Sequence, residues 1–281
     1  MEPKIRIDNA SFSFGTKTVW SGLELDIHAG QAVCLLGPNG CGKTTLLNCM
    51  HGIYPPDSGA ILLEGRPVHR MRPRELARKM GYVFQEHTAP FTYLVLEVIR
   101  MGRAPHLGPF ESPSSRDTDK AVAIMESIGI AHLKDKRYTE ISGGERQLVL
   151  IARALAQEPE IILLDEPTSH LDLRNQALIL GMINHLVRRG LTVVMTSHFP
   201  NHALFLSCRV ALMSRGGIKA VGDTREVMTE ENLSRIYGLR VSMYAVDDPR
   251  RGGRVRFCIP WIETPRGVDR DPFRTNTQYA G

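Results

Sequence analysis

No apolar run in this sequence of 281 residues reaches the roughly 18 residues that a bilayer-spanning helix needs, so no transmembrane segment is predicted. Cysteine is scarce: the five thiols, at 34, 41, 49, 208 and 258, include no C-x-x-C pair. Their odd number and scatter suit free thiols in a reducing cytosol. No block of five Lys or Arg occurs. The formal net charge of +5 and pI of about 9.0 permit contact with anionic lipid or nucleic acid without arguing for either. The opening MEPKIRID does not read as a signal peptide, and no internal repeat is visible. What is present is enough apolar residue, 42% against 23% charged, for a sizeable core. The length suits one large domain or two small ones.

The most specific pattern lies at residues 31–53. An apolar run, residues 32–36, stops at Gly37. Gly37-Pro38-Asn39-Gly40-Cys41-Gly42-Lys43-Thr44 then fits G-x-x-x-x-G-K-[ST], and an amphipathic run, residues 45–50, follows. Strand, glycine-rich loop and helix in this order make a phosphate cradle. The glycines let successive backbone N–H groups face one anion, and the helix start adds free N–H groups and partial positive charge. Lys43 brings a full charge to the terminal phosphates, and the Thr44 hydroxyl can ligate Mg²⁺. A chance glycine-rich turn would have no reason to carry these flanks.

Strands are predicted before the loop, over 4–14 and 23–27, from their alternation. After it come a short antiparallel pair over 60–63 and 65–68, a helix over 74–79 and a strand over 81–85. From residue 86 to about 159 the spacing turns helical, over 95–101, 117–128 and 142–157, which reads as an inserted subdomain of about 70 residues. The sheet pattern then returns, with apolar strands over 161–164 and 191–196, a helix over 176–189, a hairpin over 210–221 and short helices over 224–228 and 230–237. From Asp247 the composition shifts: this tail holds seven Arg, no Lys and five acidic residues. It is expected to add one strand over 254–259 and to be loose and partly disordered beyond Pro265.

Polar residues follow the apolar strands, where an α/β sheet binds ligands. Residues 161–164 deliver Asp165, which can hold Mg²⁺ through its water shell, and Glu166, a second carboxylate for the attacking water. The strand over 191–196 delivers Ser197-His198. His198 and His202 have the i, i+4 spacing of a zinc pair, but Pro200 lies between them and the Glu of H-E-x-x-H is missing. Ser142 and Glu145 fit a capping box. Between them Gly143 and Gly144 are poor helix formers, tolerable where the backbone must come close to something, and an exposed helix start is a second anion site.

With these residues in order, the chain resembles the ATP-binding cassette (ABC) ATPases. The segments are the phosphate loop, ISGGERQ (141–147), IILLDEP (161–167), SHLD (169–172) and TSH (196–198), and the resemblance covers about residues 1–246. It implies an α/β fold: a phosphate-loop NTPase (RecA-like) core over 1–85 and 158–246, with an antiparallel β subdomain and an inserted α-helical subdomain over 86–157. Residues 247–281 remain an Arg-rich C-terminal extension. The implied catalytic residues are Glu166, His198 and Gln85. Glu166 polarises water, His198 resembles the switch histidine at the γ-phosphate, and Gln85 resembles the Q-loop glutamine. Implied nucleotide contacts are Phe14, stacked on adenine, and Gly37, Pro38, Asn39, Gly40, Cys41, Gly42, Lys43, Thr44 and Thr45. Ser142, Gly143, Gly144 and Glu145 look like the signature that closes on the ATP of the opposite subunit, and Asp172 resembles the D-loop aspartate at that interface. Thr44, Gln85 and Asp165 would hold Mg²⁺. The weaker reading of Phe14, an aromatic in a strand, is core.

The resemblance further implies a homodimer of cassettes sandwiching two ATP, at the cytoplasmic face of the membrane. Its partners would be permease subunits and, through them, a substrate-binding protein, with no nucleic acid. Residues 86–106 are the expected docking face. Segments 101–108 and 229–233 look like importer cassettes for ferric siderophores, haem and cobalamin, with molybdate or tungstate cassettes close by. A soluble cassette acting on DNA or ribosomes would carry a coiled-coil insert, a zinc module or a second cassette, and a small-molecule kinase would have no use for ISGGE. One further expectation concerns Cys41. Its place at a helix N-terminus, two residues from Lys43, predicts an exposed, activated thiol with a lowered pKa.

Overall fold

The computed structural model describes residues 2–85, 92–248 and 253–262. Strands β1 (Ile5–Phe14) and β2 (Lys17–Ile27) form an antiparallel ribbon. An apolar strand, β3 (Ala32–Leu36), runs into the glycine loop, and α1 (Lys43–Met50) leaves it. Next come β4 (Ser58–Leu63), the two-residue β5 (Arg66–Pro67), α2 (Pro73–Lys79) and β6 (Met80–Val83). Three helices fill the insert: α3 (Val95–Arg100), α4 (Ser115–Ser127) and α5 (Gly143–Leu155). Then β7 (Ile161–Leu164), α6 (Leu173–Arg188), β8 (Thr192–Ser197), α7 (Pro200–Leu206), β9 (Arg209–Ser214) and β10 (Gly217–Asp223) rebuild the sheet. The described chain closes with α8 (Thr224–Val227), α9 (Glu230–Tyr237) and a hairpin of β11 (Val241–Asp248) with β12 (Gly253–Pro260).

The central sheet has the order β10-β9-β3-β8-β7-β6, and the smaller antiparallel sheet β2-β1-β4-β5. From β9 to β6 all neighbours are parallel. Parallel strands are buried on both faces, which is why β3, β7 and β8 are continuous apolar runs. Their side chains alternate between two cores. Cys34, Leu36, Ile162, Leu164, Val193 and Met195 join the core shared with the helical insert. Val33, Leu35, Ile161, Leu163 and Val194 join the core shared with α1 and the antiparallel sheet. Register also aligns the strand ends: Leu36 lies beside Ser197, Leu164 beside Met195 and Val83 beside Leu164. One edge of the sheet thus receives the residues that follow β3, β6, β7 and β8.

Several expectations need adjustment. β6 stops at Val83, so Gln85 lies in a bend beyond the strand. α6 begins at Leu173, earlier than its periodicity indicates, because the Asp172 carboxylate accepts the Asn175 N–H and caps it. The helix α7 was not anticipated. Its cue is Pro200 at the first turn. The expected boundary at 246/247 falls within β11, whose hairpin packs on α7, and the Asn201 side chain bonds the backbone of Cys258 in both directions. The expectation of disorder beyond Pro265, and residues 86–91 of the expected docking face, lie outside the described residues.

One buried cation ties three segments of the insert and its junction with the core together. Arg103, in a 3₁₀ turn over Met101–His106, is 4% exposed. It donates to Asp117 at 3.0 Å and to the Ala156 carbonyl at 2.8 Å, and pairs with Glu158 at 3.0 Å. Hydrogen bonds from the Ser114 hydroxyl and N–H, and then from Arg103, hold the Asp117 carboxyl well below its ordinary range. Removing the cation leaves a buried carboxylate and a helix-end carbonyl without their partner. Arg103→Ala should therefore cost about 3 kcal/mol of unfolding free energy. Denaturant titration measures this, and a loss under about 1 kcal/mol would mark the network as a surface pair.

Candidate active site

The loop after β3 is shaped by two close approaches. A Cβ on Gly37 would lie 2.2 Å from the Met213 carbonyl oxygen. Gly42 has φ 99° and caps α1, and a Cβ there would meet Val19 at 2.6 Å. Lys43 is 5% exposed and folds back over the loop, donating to the carbonyls of Gly37 at 2.8 Å and Pro38 at 3.1 Å. These are weak holds on a cation that a polyanion would attract more strongly. Thr44 Oγ1 donates to Asp165 Oδ1 at 3.1 Å, and so does Thr196 Oγ1 at 2.7 Å. Burial pushes the Asp165 carboxyl up, and these two hydroxyls oppose the shift. Thr196 Oγ1 also accepts the Glu166 N–H at 2.7 Å.

Glu166 has φ 45°, an uncommon value for a residue with a side chain. Its Oε2 accepts from Ser169 Oγ at 2.8 Å and Gln85 Nε2 at 3.3 Å and lies 3.1 Å from His198 Nδ1, while Oε1 lies 3.8 Å from Lys43 Nζ. Burial acts to raise this carboxyl, but Ser169, His198 and Lys43 outweigh it, so it stays below its ordinary value and ionised at neutral pH. Gln85, Glu166 and His198, taken from three strand ends, thus meet at one oxygen. His202 faces elsewhere, with Nδ1 3.2 Å from both Thr168 and Ser197 hydroxyls.

A cavity of about 680 Å³ opens over these groups. Asn39, Gly40, Gly42, Lys43, Thr44 and Thr45 line its floor, Gln85 and Glu166 one wall. Phe14 also lines it, 51% exposed and edge-on to Phe12, so it is a rim residue rather than core. Thr44 and Asp165 offer a hydroxyl and a carboxylate oxygen, a hard-oxygen pair that suits Mg²⁺ bound jointly with phosphate and water. The segment 142–145 and Asp172 lie outside this cavity's lining. There Ser142 accepts the Glu145 N–H and Glu145 accepts the Ser142 N–H, closing the capping box. A Cβ on Gly144 would lie 2.3 Å from the side-chain amide of Asn175, which would have to turn away, whereas Gly143 has room.

Cys41 is a correction. The thiol is buried, not exposed, and burial pushes its pKa up against the opposing pull of Lys43 and backbone N–H groups. The helix-terminus argument named the right attractions and omitted the larger desolvation cost. Sequence reasoning also missed Ser169 as a donor to Glu166 and Thr196 as the bridge. The polar ends of TSH and SHLD were the available signal.

A nucleotide-sized cavity over a phosphate loop, at the carboxyl edge of a parallel sheet interrupted by a helical insert, defines a phosphate-loop ATPase. A family model described as ABC transporter matches residues 20–169, and the chain belongs to that family. It is similar to the molybdate import ATP-binding protein MolC of Haemophilus influenzae, 36% identical over 85% of this chain and 90% of that one. It is also similar to the ferric enterobactin transport ATP-binding protein FepC of Escherichia coli, 35% identical over 89% of this chain and 92% of that one. A solved structure described as a metal-chelate type ABC transporter in an inward-facing conformation matches with a TM-score of 0.83 and 33% identity, over 93% of this chain and 98% of that chain. The chain is therefore a membrane-associated, ATP-binding transporter subunit that hydrolyses ATP to drive transport and works with permease partners. No helix among the described residues is long and apolar enough to cross a membrane.

Two measurements test the local electrostatics. Brief alkylation at neutral pH without nucleotide should leave Cys41 unlabelled by peptide mapping; rapid labelling would restore the activated thiol. Burial, and then the charge of His198, lowers the His202 pKa to about 4. A folded pKa below the unfolded 6.5 or so means stability is complete above pH 6.5 and falls as pH drops toward 4. His202→Gln should flatten the melting temperature over that window; an unchanged slope would assign the loss to other groups.

Proposed function

We propose that this chain is the motor subunit of an importer for a ferric siderophore or a related metal chelate such as haem or cobalamin. The similarity to FepC and to the metal-chelate transporter structure supports that cargo class. The MolC similarity supports molybdate or tungstate as the second reading. In this proposal the subunit sits at the cytoplasmic face of the membrane, with permease subunits and, through them, a substrate-binding protein. Residues 86–106 form the docking face. Described residues of that stretch include exposed Tyr93 and Met101, at 41% and 43%.

The observation that carries the catalytic reading is the convergence of Gln85, His198 and Ser169 on one oxygen of Glu166, beside Lys43. Phosphates enter the loop, and Lys43 exchanges two loop carbonyls for phosphate oxygens. Phe14 stacks on the base. Thr44 and Asp165, with Gln85, would hold Mg²⁺, which would supply charge neutralisation to the phosphates. Glu166, kept ionised, takes the proton of the attacking water, while Gln85 and His198 fix the position of its carboxylate. Ser142, Gly143, Gly144 and Glu145 of a second copy close over the γ-phosphate, with Asp172 at the same interface, so two copies sandwich two ATP. Hydrolysis removes the γ-phosphate contacts and the dimer reopens.

Glu166→Gln keeps the shape and removes the base. Turnover should fall by about 10²-fold or more, while ATP still binds and the protein runs as an ATP-dependent dimer on gel filtration. Near-normal turnover would assign the base elsewhere. A variant that hydrolyses no ATP and stays monomeric with ATP would remove the sandwich.

A further inference from the structure

The nucleotide cavity contains two cations that the phosphate cradle does not use, Lys17 and Arg215. Both are exposed. Neither side chain makes a hydrogen bond or ion pair among the described residues; only the Arg215 carbonyl is engaged, by Ser214. Elsewhere on the surface Lys4 pairs with Glu64 and Glu160, and Arg6 with Asp26. Lys17, Lys43 and Arg215 face a single carboxylate in the lining, Glu166. The cavity is therefore built for more negative charge than Lys43 alone meets.

The position of Arg215 is fixed by two contacts. The end of β9 presses on the loop, since the Met213 carbonyl occupies the space a Gly37 side chain would need. Two residues on, the turn is pinned to β2 by a bridge between Gly216 and Trp20. The backbone at Arg215 is thereby fixed beside β2, and its side chain shares the cavity lining with Phe14 and Lys17. A base stacked on Phe14 with its terminal phosphates at Lys43 leaves the α-phosphate and ribose between them. A planar guanidinium suits a phosphate there.

We propose that Arg215, assisted by Lys17, is the second cationic contact of the nucleotide, binding its α-phosphate and ribose side. It sets the affinity for ATP and ADP alike. The proposal rests on the reading of this cavity as the nucleotide site. Equilibrium binding of ATP and of ADP to Arg215→Ala tests it, with Lys43→Ala as the control for the site itself. Arg215→Ala should weaken ATP and ADP by the same factor, about three- to tenfold at low salt, with the difference shrinking at high salt. In steady state the loss should appear in KM rather than in kcat, and Arg215→Lys, which keeps the charge without the planar fork, should recover only part of it. Unchanged affinity for both nucleotides overturns the proposal, as does a loss confined to ATP, which would move Arg215 to the γ-phosphate. If Lys43→Ala binds ATP like the parent protein, the cavity reading itself fails. If Lys43→Ala loses binding and Arg215→Ala does not, only the role of Arg215 falls.

Discussion

Everything at the carboxyl edge of the sheet depends on how one buried carboxylate is satisfied. Asp165 is 2% exposed, and an ionised group that deep is costly unless its oxygens are bonded. Two hydroxyls bond the same oxygen, Thr44 from α1 and Thr196 from β8. The donors come from different segments, so the requirement locks the start of α1, the end of β7 and the end of β8 together. Thr196 then takes the Glu166 N–H as well. That bond holds Glu166 at positive φ and turns its side chain back over the cavity. The strain at Glu166 is thus tied to the satisfaction of Asp165, a local cost maintained by surrounding structure.

A second constraint runs from the far side of the molecule. Tyr237, in α9, donates its hydroxyl to the His198 carbonyl at 3.0 Å. The segment after β8 is therefore held from both sides, by Glu166 at the imidazole and by Tyr237 at the backbone. In the insert, Arg103 joins the turn after α3 to the end of α5, and Arg78 of α2 donates to the Pro105 carbonyl. Motion imposed on that turn would reach α5, whose other end carries Ser142, as movement of a packed helix rather than of a loose loop.

Legibility in the sequence followed the strength of local constraint. β7 was readable to the residue, because four apolar residues between Glu160 and Asp165 leave no other reading. The loop glycines were readable because each answers a demand, close approaches at Gly37 and Gly42 and a positive φ at Gly40 and Gly42. The β11–β12 hairpin was half hidden. Its strand residues include Arg254, Arg256 and Asp247, and a two-stranded ribbon leaning on α7 buries too little to show clean alternation. Cys41 was misread for a different reason. Charge neighbours are visible in a sequence, but burial depth is not, and burial decided the sign.

The capping box at Ser142 bears on whether that helix start can serve an anion at all. The cap engages the Ser142 and Glu145 N–H groups, which leaves those of Gly143 and Gly144 without a partner among the described residues. The two functions are therefore compatible: an anion can take the glycine N–H groups without breaking the cap. Glu145 is the apparent obstacle, since hydrogen bonds from the Ser142 N–H and hydroxyl hold its carboxyl below the ordinary value and so ionised. Those same bonds hold the carboxylate against Ser142, and His132 lies 3.9 Å from its other oxygen. The glycines then present bare N–H groups and the positive end of a 13-residue helix to whatever approaches. A side chain at Gly144 would collide with Asn175, while one at Gly143 would meet nothing nearer than Leu171 at 3.9 Å. Packing within the chain thus places no steric demand on Gly143.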